Sequence, residues 1–407
     1  MSKSKLIEIA KANLAHARAG TIDQTENIYQ VPAEHYFDHD RWQQEMKQIF
    51  KRVPLLMATT AELPTSGDWK ALTAANVPIL LSRTESGKVK AFFNMCSHRG
   101  SQIMPEGRGN SHRFTCPYHA WSYNSEGELT AIYSNKDFGD LDKQCHSLTE
   151  LPCLERAGLI WVTINRNTTL SIEDFLCNYD EMLGQFDFAN WHYFAHQTIQ
   201  GPNWKIAYDG YLDLYHLPIL HKDTFGPDYP NKANYYNWGP HQRVTGPDIS
   251  LSQYEELDES QWPTGHLLNG VWTIFPHISI ASFDGGGRAI MLSQLFPGET
   301  PATSYTVQHY LMEKAPSEEQ AEAARAQFDF LKYVVQEEDY ATGIKQQVAL
   351  ESGGKDYVMF GRNEGGGQRF HQWVDRLIAT SDKDLPALFT NNDYGTIGHP
   401  DKPGANR

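Results

Sequence analysis

Apolar residues in the first part of the chain fall in short runs rather than long helical stripes. VPLLMA (53–58), VPILLSR (77–83), VKAFFN (89–94), RFTC (113–116) and GLIWVTIN (158–165) read as strands. Turn signals such as Ser66-Gly67-Asp68, Ser86-Gly87 and Glu126-Gly127 separate them. Before them, Leu6, Ile9, Ala10, Leu14 and Ala17 repeat at helical spacing and predict an amphipathic surface helix, with Asn13 the one polar residue on its stripe. Ser171 heads an S-x-x-D capping pattern with Asp174, which predicts a helix to about Gly184. Residues 200–225 read as helical, and 226–265, rich in Pro, Gly, Tyr, Asn and Trp without a period, as long loops. Strands return at 271–283, 288–296 and 305–312. A long helix follows Ser317 and runs to about Ser352, where Gly353-Gly354 stop it, and a last helix covers roughly 367–380. This order predicts an α+β fold: a small all-β domain, then a larger domain with an antiparallel sheet flanked by helices. The boundaries expected are a helical N-terminal segment 1–40, the β domain 41–165, the larger domain 166–390 and an exposed tail 391–407.

The chain has 407 residues, enough for two or three domain-sized units, and its 40% apolar content supports a large core. No apolar run approaches the roughly 18–20 residues of a membrane span, and the N-terminal stretch lacks a signal-peptide core, so a soluble cytoplasmic protein is expected. A net charge of −15 argues against nucleic acid as the main partner.

Candidate chemistry starts with Cys96 and His98 in CSHRG, and Cys116 and His119 in CPYHAW. Two thiolates and two imidazoles, alternating within two short loops, suit a [2Fe–2S] cluster with two Cys on one iron and two His on the other. A structural zinc site is the commoner use of such residues, but a one-residue C-x-H loop fits zinc spacing poorly. Cys145, Cys153 and Cys177 remain, an odd number that suggests reduced thiols. On these two loops, with Arg99-Gly100 and Pro117 in place, the chain resembles the large (α) subunit of the Rieske-type non-haem iron oxygenases. Arg99, Arg108 and Arg113 then read either as a docking surface for an acidic electron donor or as buttresses of the loops.

About a hundred residues on, Asn203-Trp204-Lys205 precedes a D-x2-H-x4-H pattern of Asp213, His216 and His221. Two histidines and a carboxylate make the facial triad that leaves positions open for O2. Five residues place side chains about 140° apart on an ideal helix, so one straight helix cannot aim both imidazoles inward; Pro218 between them can bend it. Asp213 shares a face with His216 and is open to two roles, ligand or partner of an imidazole N–H. The resemblance implies the second: a bridge carrying an electron from a Rieske histidine of a neighbouring subunit, and hence a homotrimer, with or without a small β subunit. It also implies that the third iron ligand lies on the long C-terminal helix. Periodicity leaves Glu338 and Asp339 both facing inward; the family pattern, an acidic residue with Gln347 eight positions on, selects Asp339, with Glu338 as the alternative. Asp209, Gly210, Leu217, Trp272 and His277 are candidates for the substrate pocket, each also readable as an ordinary surface or core residue.

The resemblance implies O2-dependent hydroxylation of an aromatic or polycyclic substrate, an EC 1.14-type reaction. It implies a [2Fe–2S] cluster, a mononuclear Fe(II), and electrons from NAD(P)H through a partner flavin reductase or ferredoxin. Gly285-Gly286-Gly287 and Gly365-Gly366-Gly367 are not nucleotide-binding fingerprints, so that reductase is expected on another chain. The runner-up is monooxygenation or oxidative demethylation of a small molecule such as a quaternary amine, caged by Tyr208, Tyr211, Tyr235, Tyr236 and Trp238 with Asp209 balancing charge. Two readings of other classes remain: an electron carrier, which leaves His216 and His221 unexplained, and a zinc-stabilised binding protein, which would be colourless and hold no acid-labile sulfide.

Overall fold

The computed structural model describes residues 2–228, 231–390 and 396–397. The tail expected over 391–407 lies outside them except for the short strand Thr396–Ile397. Among the described residues no helix is long and apolar enough to cross a membrane.

Ser2–Ala19 is one helix, with Leu6, Ile9, Ala10 and Leu14 buried. Asn13 is buried with them, and its Oδ1 accepts hydrogen bonds from Asn234 at 2.9 Å and Tyr236 at 2.7 Å. A paired amide is why a polar residue sits in the apolar stripe.

The short apolar runs pair into small antiparallel sheets. One has five strands in the order Glu150–Leu151, Val89–Phe93, Val77–Arg83, Asp68–Ala74 and Gly107–Asn110. Cys153–Arg156, Leu159–Val162 and Leu55–Thr59 form a second, and Arg113–Thr115, Ser122–Asn124 and Leu129–Ala131 a third. Gly107–Asn110 is exposed along its length, so no apolar pattern announces it. Beyond Ser171, which caps its helix as expected through Asp174 N–H, the helix breaks at Cys177 and Asn178, both in the left-handed region. Two short helices, Ile172–Leu176 and Tyr179–Leu183, stand where one was expected.

The larger unit is built on an eight-stranded sheet, ordered His192–Gly201, Ser304–Met312, Arg288–Pro297, Ile278–Asp284, Val271–Ile274, His241–Thr245, Asn234–Trp238, Thr396–Ile397. The hairpin Asn234–Thr245 corrects the reading of 226–265 as loop alone. All residues of both its strands are buried, so neither face is polar and no alternation shows in the sequence. Register gives the sheet two unlike faces. Gln197, Gln308, Ser293, Ser279, Thr273 and Gln242 lie directly opposite one another from strand to strand and make one polar row. Gln242 donates to Gly366 O at the start of the helix Gly365–Ala379, so this face lies under the helices. Trp272, Ile280, Leu292 and His309 form the adjacent row and point to the other face.

That other face meets the small β domain. The Leu56 N–H donates to His277 Nε2 at 3.1 Å, and its carbonyl accepts from Gln294 at 2.8 Å. Beside it, Lys70 pairs with Glu62 at 2.7 Å. Burial alone would raise the Glu62 carboxyl, but Lys70 and His309 outweigh it and bring the carboxyl down to about 2.

Burial holds the His277 imidazole down at about 3, against an ordinary value of 6.5. The folded state keeps it neutral while the unfolded chain takes up a proton, so its contribution is full above the unfolded value and is lost as pH falls toward 3. Replacing it with glutamine keeps an acceptor for Leu56 N–H and removes the titration. His277→Gln is expected to lose roughly 3 kcal/mol less stability than the native protein between about pH 7 and pH 4. Denaturant unfolding at the two pH values checks this; equal losses in both proteins would contradict it.

Candidate metal centres

Two loops closed by the same backbone pattern carry the cysteine–histidine motif. Cys96 N–H donates to Ser101 O at 2.8 Å and Gly100 N–H to Cys96 O at 2.9 Å; Cys116 N–H donates to Trp121 O at 2.8 Å and Ala120 N–H to Cys116 O at 3.0 Å. The turns require a positive φ at Gly100 (77°) and at Ala120 (56°), the second uncommon for a residue with a Cβ. Asn94 staples the first loop, accepting from the N–H groups of Ile103 and Met104 and donating to Met104 O.

The result brings all four candidates together. Cys96 and Cys116 are buried free thiols close enough that burial and Cys116 together push the Cys96 thiol up, and the His98 and His119 rings stand 4.6 Å apart. Trp121 stacks on His98 at 4.9 Å with the planes 8° apart. His98 Nδ1 is buried without a protein partner, as a nitrogen reserved for a metal would be. The Tyr123 hydroxyl lies 3.2 Å from Cys96 Sγ. Two thiols, two imidazoles and that orphan nitrogen fit a Rieske cluster.

The second centre gathers His216, His221 and Asp339, whose donor atoms all lie within 4.8 Å of one another. Pro218 does not bend a helix through the histidines. It sits in the first turn of a separate short helix, Leu217–Leu220, where its missing N–H costs nothing. His216 precedes that turn and His221 ends it, which sets the two rings 5.2 Å apart. Asp213 Oδ1 accepts from the N–H groups of Tyr215 (2.7 Å) and His216 (3.1 Å) and pairs with His216 Nδ1 (2.9 Å), turning Nε2 toward Asp339 at 3.6 Å. Of its two readings, the partner of an imidazole nitrogen is the geometry present.

Asp339 reaches the histidines from a π-helical stretch, Val334–Tyr340, between the helices Glu318–Tyr333 and Ala341–Glu351. Such wide turns are rare and cluster at functional sites. Here Asp339 Oδ1 lies 3.2 Å from His221 Nε2, while Glu338 Oε2 lies 2.6 Å from His221 Nδ1 and accepts from Thr224 at 2.9 Å. The two acidic residues that periodicity could not separate thus meet opposite nitrogens of one ring. Burial works against charge on both imidazoles, but Asp213, Asp339 and Glu338 outweigh it and hold them above the ordinary histidine value. Such a negative, half-open pocket of two nitrogens and a carboxylate fits a divalent iron.

The pocket candidates fare differently. Trp272 is in the core between Tyr179 and Phe186, with its indole N–H on Leu268 O. It lies on the sheet face away from the iron trio, because strand positions alternate and the helix-covered position is its neighbour Thr273. His277 is buried at the domain seam. Asp209 is committed to Tyr36 at 3.0 Å and His371 at 2.9 Å. Gly210 is exposed at the end of the helix Trp204–Asp209, and Leu217 is half-buried beside His216. Tyr208, Tyr235 and Tyr236 are buried with their hydroxyls bonded to Ile278 O, Asn363 O and Asn13, and Trp238 packs on Tyr179, so they form no cage. Sequence reasoning missed the orienting role of Glu338 and its support from Thr224; the adjacent acidic pair was the only signal.

A profile described as "Rieske [2Fe-2S] domain" matches residues 54–149, and one described as "Ring hydroxylating alpha subunit (catalytic domain)" matches residues 188–380. The chain belongs to the Rieske non-haem iron oxygenases, as a large subunit. The glycine betaine monooxygenase oxygenase subunit of Chromohalobacter salexigens is 29% identical over 61% of the chain and 56% of that protein. The anthranilate 1,2-dioxygenase large subunit of Acinetobacter baylyi is 27% identical over 72% and 60%. The chain thus matches little more than half the length of these relatives. The naphthalene 1,2-dioxygenase structure from Rhodococcus sp. shares the fold with a TM-score of 0.73 at 18% identity, covering 91% of this chain and 98% of that one.

Asp339→Ala is expected to abolish iron retention, whereas Glu338→Gln weakens it about 10- to 100-fold by loosening His221. Iron titration of the chelator-treated protein separates the two; equal affinity in both variants would undo the assignment of ligand and partner.

Proposed function

We propose that this chain uses O2 to hydroxylate an organic substrate, with an aromatic or polycyclic compound as the leading class. The observation that carries the proposal is the trio His216, His221 and Asp339, with each Nε2 facing Asp339 and each Nδ1 occupied by another carboxylate. These three would hold Fe(II), and Cys96, His98, Cys116 and His119 the [2Fe–2S] cluster. When bound, the two groups supply one-electron transfer and dioxygen activation. The chain's own residues supply orientation. Asp213 and Glu338 fix which imidazole nitrogen is free, and a ring held from both sides cannot swing to a second rotamer.

Asp213 keeps 19% of its side chain exposed, which suits contact with a neighbouring subunit and supports the cross-subunit electron route and the homotrimer. Electrons would come from NAD(P)H through a separate flavin reductase, with or without a ferredoxin, in the cytoplasm. The second reading, oxidation of a quaternary amine, draws support from the glycine betaine relative, but four of the five aromatic residues suggested for a cage, Tyr208, Tyr235, Tyr236 and Trp238, are committed elsewhere.

Anaerobically purified protein is expected to hold about three irons and two acid-labile sulfides per chain. His216→Ala should lose about one iron and all substrate oxidation while keeping the sulfide and the visible spectrum of the cluster. Retained turnover in that variant would sink the proposal.

A further inference from the structure

We infer that the helix-covered face of the eight-stranded sheet selects a compact substrate carrying a neutral hydrogen-bonding group, a hydroxyl or carboxamide, through Ser279, Ser293, Gln308 and Tyr211. The inference rests on the oxygenase reading above and adds the substrate class to it.

Ser279, Ser293 and Gln308 sit directly opposite one another on three adjacent strands, at 1%, 2% and 1% exposure. Directly opposite positions on an antiparallel sheet share a face, so three polar side chains form one line. Tyr211, two residues before Asp213, joins this line to the iron trio. Its hydroxyl is surrounded by Ser293, Tyr340 and Gln308 and feels the charge of Asp339, and burial pushes it up to about 12. Yet neither the Tyr211 hydroxyl nor Ser279 Oγ has a protein hydrogen-bond partner of good geometry. The Gln308 carbonyl already accepts from Gln197 at 2.8 Å, which leaves its N–H2 group as a donor.

Two buried hydroxyls, those of Tyr211 and Ser279, left without protein partners beside a metal site are unfavourable unless a ligand completes them. None of the four carries charge, so the row itself offers a carboxylate or an ammonium no counter-ion. Ala281 and Met291, two positions along the same strands, are apolar and suit the hydrocarbon part of such a molecule. The arrangement favours a substrate with one polar end and rejects its apolar analogue, because the site's polar groups would then stay unpaired.

The test is anaerobic calorimetric titration of the iron- and cluster-loaded protein with benzamide, toluene, benzoate and phenyltrimethylammonium. Benzamide is expected to bind at least about tenfold more tightly than toluene, and more tightly than either charged probe. Tyr211→Phe, and separately Ser293→Ala combined with Gln308→Leu, should shrink the benzamide preference to about threefold or less while toluene binding holds. An unchanged cluster spectrum and thermal midpoint in Tyr211→Phe keep misfolding apart from recognition. Equal binding of benzamide and toluene, preference for a charged probe, a preference that survives both sets of substitutions, or no saturable binding of benzamide at millimolar concentration would each overturn the inference. Iron content and substrate oxidation report on the oxygenase assignment independently: an active enzyme without the preference defeats this inference alone, and a chain that cannot hold iron at the trio defeats the assignment.

Discussion

His221 is gripped from both sides by consecutive residues of one helix, and the proposed iron site depends on that grip. Adjacent positions on an ordinary helix diverge by about 100°, too far to reach opposite nitrogens of one imidazole without help. The π-helical stretch Val334–Tyr340 changes the local turn where Glu338 and Asp339 sit, and the ring lies between their carboxylates at 2.6 and 3.2 Å. Once Nδ1 is taken by Glu338, only Nε2 can face a metal, and Asp339 is already there. Asp213 does the same for His216 through a local turn of its own.

The grip holds only if the long C-terminal helix is seated correctly on the chain around 201–206. Gly343 allows the approach: a Cβ there would lie 2.8 Å from Pro202 and 3.0 Å from Ile206. Gln347 locks the position, accepting from Asn203 N–H and donating to Tyr36 O, the same carbonyl that Asn203 itself reaches. The Gln eight residues after Asp339 is therefore a seating residue, tied to the N-terminal segment. Lys205 fastens the short helix below through a buried ion pair with Glu45 at 2.6 Å, which also accepts from Trp204. Breaking one side of such a pair leaves a buried charge alone, a heavier loss than the pair's net worth.

Strong local signals were legible: the apolar run of the strand Val77–Arg83 and the capped helix at Ser317 appear where their patterns begin. Cys96, His98, Cys116 and His119 could be named as candidates because C-x-H spacing is chemically selective, and the fold brings them together. What stayed hidden has physical causes. The hairpin Asn234–Thr245 is covered on both sides, so no alternation marks it. Pro218 was read as a bend because proline breaks helices, but at the start of a helix it breaks nothing. Trp272 was taken for the pocket, but with a period of two it occupies the position facing away from the iron trio, one residue from the helix-covered Thr273. Glu338 and Asp339 could not be ranked from sequence because a local change of helical turn, set by tertiary contacts, assigns their roles.

The seam between the small β domain and the large sheet shows how the two halves keep their relative position. Both backbone groups of Leu56 are satisfied by side chains of the large sheet, His277 and Gln294, so the strand Leu55–Thr59 is bonded across the seam as well as within its own sheet. Gln294 also accepts from His309 Nε2 at 2.8 Å, and His309 Nδ1 pairs with the Tyr193 hydroxyl at 2.9 Å, which leaves that ring no freedom. Glu62 and Lys70 approach the same histidine from the other domain. A buried pair of this kind contributes modest net stability, since desolvation offsets most of its attraction. Its physical effect is directional: sliding the domains would strand Glu62, Lys70 and the Leu56 peptide group without partners, whereas an apolar seam would tolerate the slip. A boundary bonded in this way holds the two centres at a fixed relative position within the chain.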